Sequence, residues 1–178
     1  GGWWRKALRE AKLRTGWAAP NQAYEQLADD FLRALLDPRG NRGFHDALES
    51  YLAQIGPAGA LNGLAQTVLQ CTAPGVPDIY QGSDFWDLSM VDPDNRRSVD
   101  FAVREAALLQ GIDEDRLRGA WEDGRIKQFL LQRLLTARRR HPALFKRSGY
   151  HPLSAIGPRA GDAIAFYRET EEAVLAVV

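Results

Sequence analysis

Residues 81–100 gather side chains that suit recognition of a polyhydroxylated ligand. Asp84, Asp87, Asp92 and Asp94 supply carboxylates, and Gln81, Asn95 and Arg96 supply planar hydrogen-bonding groups. Phe85 and Trp86 add flat apolar faces. Carbohydrate sites need that mixture, because planar polar groups satisfy vicinal hydroxyls while aromatic rings pack on pyranose faces. The same stretch also reads as a turn-rich surface loop, since Asp92-Pro93-Asp94-Asn95 is strong turn chemistry. An EF-hand starting at Asp92 would need Gly at its sixth position and Glu at its twelfth. The chain has Arg97 and Val103 there, so calcium is not expected.

Three further residues are of types that can carry chemistry: Trp17, His45 and Cys71. Trp17 lies in a loop between two expected helices, where it serves either as a sugar platform or as a staple between them. The staple is the first expectation. His45 has no Cys or His at ligand spacing, so no metal site is expected, and no motif asks for a cofactor. Cys71 ends an apolar helical pattern and is expected as a buried, inert thiol. As the single cysteine it excludes an internal disulfide and fits a reducing compartment.

The elements that must position these residues follow from periodicity. Residues 3–15 put Trp4, Ala7, Leu8 and Ala11 on one helical face. A second helix, 20–36, does so with Tyr24, Leu27, Ala28, Phe31 and Leu35, and Asp37-Pro38 stops it. A third, 41–55, carries Phe44, Ala47, Leu48, Tyr51, Leu52 and Ile55 and is expected to close at Gly56-Pro57. Residues 59–72 form a fourth helix, ended by Pro74-Gly75. Val76 to Tyr80 then read as a short buried strand, with Pro77 acceptable near its start. Asp100 is placed to cap a helix reaching Leu109, and Asp113-Glu114-Asp115 interrupt the pattern. A strong helix, 123–140, ends at His141-Pro142. Beyond it the period shortens to two, and residues 163–168 and 173–178 are expected to pair as an antiparallel hairpin.

Composition narrows the function classes. The 178 residues are 45% hydrophobic and 26% charged, ordinary for a soluble domain. Lys+Arg and Asp+Glu balance at 23 each, so no net field recruits nucleic acid or an anionic membrane. Arg138-Arg139-Arg140 falls in the last turn of a helix and is read as a solvated helix end. No apolar run is long enough to span a bilayer, no signal-peptide pattern is present, and a cytoplasmic location is expected. The first residues lack an initiator methionine, and Ala173 to Val178 read as a strand with nothing after it. Both ends therefore read as cuts through a larger protein.

The segment Gly75-Val76-Pro77-Asp78-Ile79-Tyr80-Gln81-Gly82-Ser83-Asp84 resembles the eighth-strand signature of the α-amylase superfamily of β/α barrels. Extended over Ala73 to Gly82, and followed by Val91-Asp92-Pro93-Asp94-Asn95-Arg96-Arg97, it is similar to the malto-oligosyltrehalose synthase family. Lys12 to Trp17 matches that family's Lys-x-x-Thr-Ser-Trp except at Gly16. Ser83-Asp84 replaces its usual Thr-Glu, and Ser98 its usual proline. The tail of helix 123–140 resembles the superfamily's eighth barrel helix. The resemblance implies a mainly α chain with a small C-terminal antiparallel β part. Residues 1–57 would be a helical insertion, 58–146 the end of the barrel with its eighth strand, and 147–178 the start of a C-terminal β domain.

The resemblance also implies an activity. The family is a glucan mutase that turns the reducing-end α-1,4 linkage of a maltooligosaccharide into an α,α-1,1 linkage. A covalent glucosyl-enzyme is attacked by the released glucose while water is excluded. Such retaining chemistry uses two carboxylates about 5–5.5 Å apart. The resemblance places them on barrel strands absent from this sequence, so no catalytic residue is expected here and the isolated chain is expected to be inactive. Gln81, Asp84, Trp86, Asp92, Asn95, Arg96 and Trp17 are the expected substrate contacts. The expected partners are a maltooligosaccharide and the rest of the barrel, with self-association of the isolated chain through unpaired edges. Two other readings stay open: a non-catalytic glucan-binding or interaction domain, and another hydrolase or transferase of the superfamily.

Overall fold

The computed structural model describes residues 2–90, 96–110 and 113–177. The chain divides into two compact units, Gly1–Gly59 with Leu88–Val99 and Ala60–Asp87 with Asp100–Val178. It is mostly helical, with one three-stranded antiparallel sheet.

The first unit is built on α1 (Gly2–Ala11), α2 (Gln22–Leu36) and the N-terminal part of α3 (Arg42–Thr72). α1 stops at Ala11, short of the expected 15, because Lys12 takes the left-handed conformation at φ 56°. α2 starts where Asn21 Oδ1 accepts the Tyr24 amide at 3.1 Å. Its apolar stripe does not form the buried face: Leu27 and Phe31 are exposed. The buried positions are Glu25 and Asp29, which face arginines of α1. Charge pairing, not apolar packing, joins these two helices.

Gly56-Pro57 does not end a helix. α3 runs continuously to Thr72 with Pro57 inside it, and it contributes residues to both units. An interior proline loses one backbone hydrogen bond, but Gly56 before it has no Cβ to collide with the proline ring. That absence removes part of the barrier to helical geometry at the preceding residue.

The second unit holds the end of α3, α4 (Phe101–Leu109), α5 (Glu114–Gly119), α6 (Arg125–Arg140), α7 (Pro142–Lys146) and strands β1 (His151–Leu153), β2 (Ala165–Glu169) and β3 (Val174–Val177). Asp100 caps α4 through the Val103 amide at 3.1 Å, as expected. α4 ends at Leu109, so the helical pattern is interrupted as expected, and the acidic run then starts the next helix, with Asp113 accepting from the Arg116 amide at 3.1 Å. Pro142 ends α6 and begins α7, where its missing amide costs nothing. The hairpin pairs Phe166 with Val177 and Arg168 with Leu175, and β1 adds His151 against Tyr167. Cys71, Leu131, Leu144, Phe145 and Phe166 form its core.

Val76 to Tyr80 is not a strand. No ladder pairs with it among the described residues, and Val76 is 92% exposed. A strand exists only with a partner, and β1, β2 and β3 pair among themselves.

Candidate functional site

The turn at residues 81–84 follows that extended segment and is closed by the Ser83 amide and hydroxyl, which donate to Tyr80 O at 3.1 and 2.6 Å. Gly82 holds φ 84°, which a side chain would disfavour. Gln81 is exposed at the start of this turn.

Asp84 is engaged at both oxygens. Oδ1 accepts from Arg104 Nε at 3.0 Å, and Oδ2 accepts from Gln128 Nε2 at 3.0 Å. Arg104 also donates to Gly82 O at 2.9 Å and Asp100 O at 3.1 Å, and its guanidinium lies 4.9 Å from the Phe85 ring centroid. Gln128 is 6% exposed and donates to Arg104 O at 3.1 Å as well. One carboxylate thus joins the loop to α4 and α6. Sequence reasoning missed Arg104 and Gln128. The available signal was weak: a lone arginine in the otherwise apolar run Val103 to Leu108, shared with Glu105.

Trp86 is half-buried, and its Nε1 donates to Trp121 O at 2.7 Å. The backbone comes close enough only because of Gly124, where an added Cβ would lie 2.8 Å from Trp86 N and 3.0 Å from Phe85 Cβ. Lys127 Nζ sits 5.9 Å from the Trp86 ring centroid and donates to Phe85 O at 3.4 Å. Burial pushes its ammonium pKa down, while Asp84 and Asp87 oppose that shift. A cleft of about 460 Å³ opens beside the clamp, lined by Asp84, Leu108, Gln128, Leu131, Leu135 and Thr136. Its walls mix leucines with polar side chains, Gln132 and Arg139 among them, and offer no aromatic face for a sugar ring.

Trp17 and Arg96 belong to the other unit. Trp17 is 58% exposed, and its ring stacks on the Arg9 guanidinium at 5.0 Å. Arg9 is fixed in turn by two 2.8 Å bonds to Glu25, whose Oε1 also accepts from Thr15 Oγ1 at 2.6 Å. Those contacts hold the Glu25 carboxyl at a pKa of about 2, with Arg9 the larger cause and Thr15 the next. Arg96 and Arg97 are exposed and each makes further interactions. Asp92 and Asn95 lie outside the described residues.

Arg138 departs from its expected solvated role. It donates to Cys71 O at 2.7 Å and Gly75 O at 3.0 Å and packs on the Phe145 ring. Cys71 is fully buried, and burial pushes its thiol pKa up. Among the described residues no group of three or more His, Cys, Asp or Glu could hold a metal ion, and no helix is long and apolar enough to cross a membrane.

No protein-family model matches the chain. A protein of Mycobacterium tuberculosis named as a maltooligosyl trehalose synthase is 38% identical over 164 residues, covering 92% of this chain and 19% of that protein. A crystal structure of maltooligosyl trehalose synthase superposes with a TM-score of 0.79 at 29% identity, over 92% of this chain and 22% of its own. The synthase of Arthrobacter ramosus gives 0.72 at 41% identity, over 90% of this chain and 20% of its own. By sequence and by backbone the chain is similar to maltooligosyl trehalose synthases over nine tenths of its own length, and it spans 19% of the length of the curated relatives it matches.

Proposed function

We propose that this segment supplies one wall of the sugar site in a protein that isomerises maltooligosaccharides, turning the reducing-end α-1,4 linkage into an α,α-1,1 linkage. The observation that carries the reading is the 38% identity extending over 92% of the chain to a maltooligosyl trehalose synthase. The nucleophilic carboxylate and the acid/base come from elsewhere in such a protein. In the transfer step the 1-hydroxyl oxygen of the released glucose bonds to the anomeric carbon as the carboxylate ester bond breaks. The hydroxyl proton passes to the general base. This segment's part is to hold the sugars and keep water from taking the hydroxyl's place. Gln81, Asp84, Trp86, Asp92, Asn95, Arg96 and Trp17 are the proposed substrate contacts, and the rest of the barrel is the proposed partner. A cytoplasmic setting suits a chain whose single thiol is buried and unpaired.

The test is product analysis on the complete protein that contains this segment. With maltohexaose the expected product keeps its chain length, loses its reducing end and carries a trehalosyl terminus. Shorter free maltooligosaccharides alone would instead assign a hydrolase. The separately expressed segment is expected to give no turnover.

A further inference from the structure

We propose that Arg104 is a positioning residue for the transfer step, acting through Asp84 with Gln128 as its second support. The inference deepens the proposed function and rests on it, because it assumes that residues 81–87 border the bound sugars. Three observations carry it. First, the Asp84 carboxylate receives one donor on each oxygen, from side chains on two different helices. Second, Arg104 spends its whole fork on this loop and its neighbourhood: Asp84 Oδ1, Gly82 O and Asp100 O. Third, Gln128 is itself buried and bonds both Asp84 and the Arg104 carbonyl, so the three residues close a ring of contacts.

A planar guanidinium can reach three acceptors at fixed angles, whereas an ammonium on a flexible stem cannot. The clamp sets the backbone at Gly82 and Asp84, and therefore the direction in which Gln81 and Trp86 leave the loop. Holding reacting groups to within a fraction of an ångström depends on such supporting contacts. A loop that drifts admits water, and water then competes with the glucose 1-hydroxyl as acceptor. The covalent bond to the carboxylate breaks in either case, and the acceptor's proton goes to the same base. Hydrolysis leaves the glucose free, so glucose release reports the loss of positioning.

The experiment measures trehalosyl product and free glucose together from maltohexaose, using the complete protein and its Arg104→Lys, Asp84→Asn and double variants. Each single variant is expected to lose about 10-fold or more in kcat/KM, with the loss mainly in kcat. The ratio of glucose to trehalosyl product should rise several-fold, and this ratio does not change when a variant merely contains fewer folded molecules. The double variant is expected to be no worse than the worse single, because both remove the same clamp. Losses that multiply in the double variant would overturn the proposal, since Arg104 would then act independently of Asp84. An unchanged product ratio in Arg104→Lys would also overturn it. If that variant does not fold, Gln128→Met, which removes only the second support, must raise the same ratio or the proposal falls. A wild type that forms no trehalosyl product refutes the proposed function, and this inference with it. A competent wild type with an unperturbed Arg104→Lys refutes this inference alone.

Discussion

Arg168 Nη1 donates to the main-chain carbonyl of Thr72 at 3.1 Å, tying β2 to the last turn of α3 across 96 residues of sequence. The same guanidinium reaches Ala73 O at 3.3 Å, Phe145 O at 3.2 Å and Ser148 Oγ at 3.0 Å, at 2% exposure. Its partners are carbonyls and a hydroxyl. The last carbonyls of a helix lack intrahelical donors and carry the negative end of the dipole, so a buried cation can be held there without a carboxylate. Burial lowers the Arg168 pKa, and the nearby Arg138 charge adds to that. Arg138 caps Cys71 O and Gly75 O in the same way. Together the two arginines set where the chain leaves α3 for the segment before the candidate site.

Arg168→Met should therefore loosen the end of α3 by about 2–4 kcal/mol, since several buried carbonyls lose their donor at once. Native-state amide exchange at Ala73, whose N–H bonds Leu69 O at 2.9 Å, reads this directly. Arg168→Lys should recover only part of the protection, because one ammonium cannot span acceptors on two helices. Wild-type exchange at Ala73 in the Met variant would show that the carbonyls find other donors.

Gly124→Ala should be far more costly than an ordinary surface change. The residue holds φ 82°, and its new Cβ would press on backbone and Cβ atoms that cannot swing away. Left-handed strain alone costs of order 1–3 kcal/mol, before any displacement of Trp86. Gly161→Ala, with nothing within 4 Å of the added carbon, is the matched control. The checks are the melting temperature and the tryptophan emission of each variant. Similar values for the two would mean that the loop yields freely.

Much of this architecture was legible in local sequence, and the misses share a physical cause. Asp100 announces a helix start because capping is a local contact, and the hairpin follows from period-two alternation. The strand expected at Val76 to Tyr80 was not legible as absent, because pairing depends on a neighbour that period two cannot reveal. Pro57 differs from its expected role for the opposite reason: the rule for proline is local, and in sequence Gly56 looks like a second breaker, whereas its missing Cβ relieves the proline. Glu25, Asp29, Arg104, Gln128 and Arg138 look like solvent-facing positions in sequence. Their roles come mainly from partners distant in sequence, as far as the 67 residues between Arg138 and Cys71, which hydrophobic periodicity cannot encode.

The α1–α2 pairing should be acid-sensitive in a defined window. Glu25 is held at about 2 against an ordinary 4.5. A depressed folded-state pKa contributes stability that is fully present above the unfolded value and is lost as pH falls through the folded one. Protection of α1 and α2 amides should thus be constant above about pH 5 and decline between about 4.5 and 2. Glu25→Gln should flatten that decline, because the glutamine does not titrate. An unchanged acid limb in the variant would assign the transition to other carboxylates.

The two adjacent arginines offer the sharpest test of the proposed sugar wall. Arg96, a proposed substrate contact, lies where related family members carry an arginine, in the segment Arg96-Arg97-Ser98-Val99-Asp100-Phe101. A guanidinium suits that place because its fork can bond a carboxylate and a sugar hydroxyl together. Both arginines are exposed in this chain, so exposure does not separate them and only substrate can. In the complete protein Arg96→Ala should cost about 2–4 kcal/mol in kcat/KM on maltopentaose, as expected for a charged hydrogen bond to bound substrate. Arg97→Ala should cost under about 1 kcal/mol, the usual scale of an exposed ion pair. Melting temperatures within a few degrees of wild type would exclude unfolding as the cause. Equal small losses would assign the segment to surface turn chemistry, and a larger loss at Arg97 would shift the match to the family by one residue.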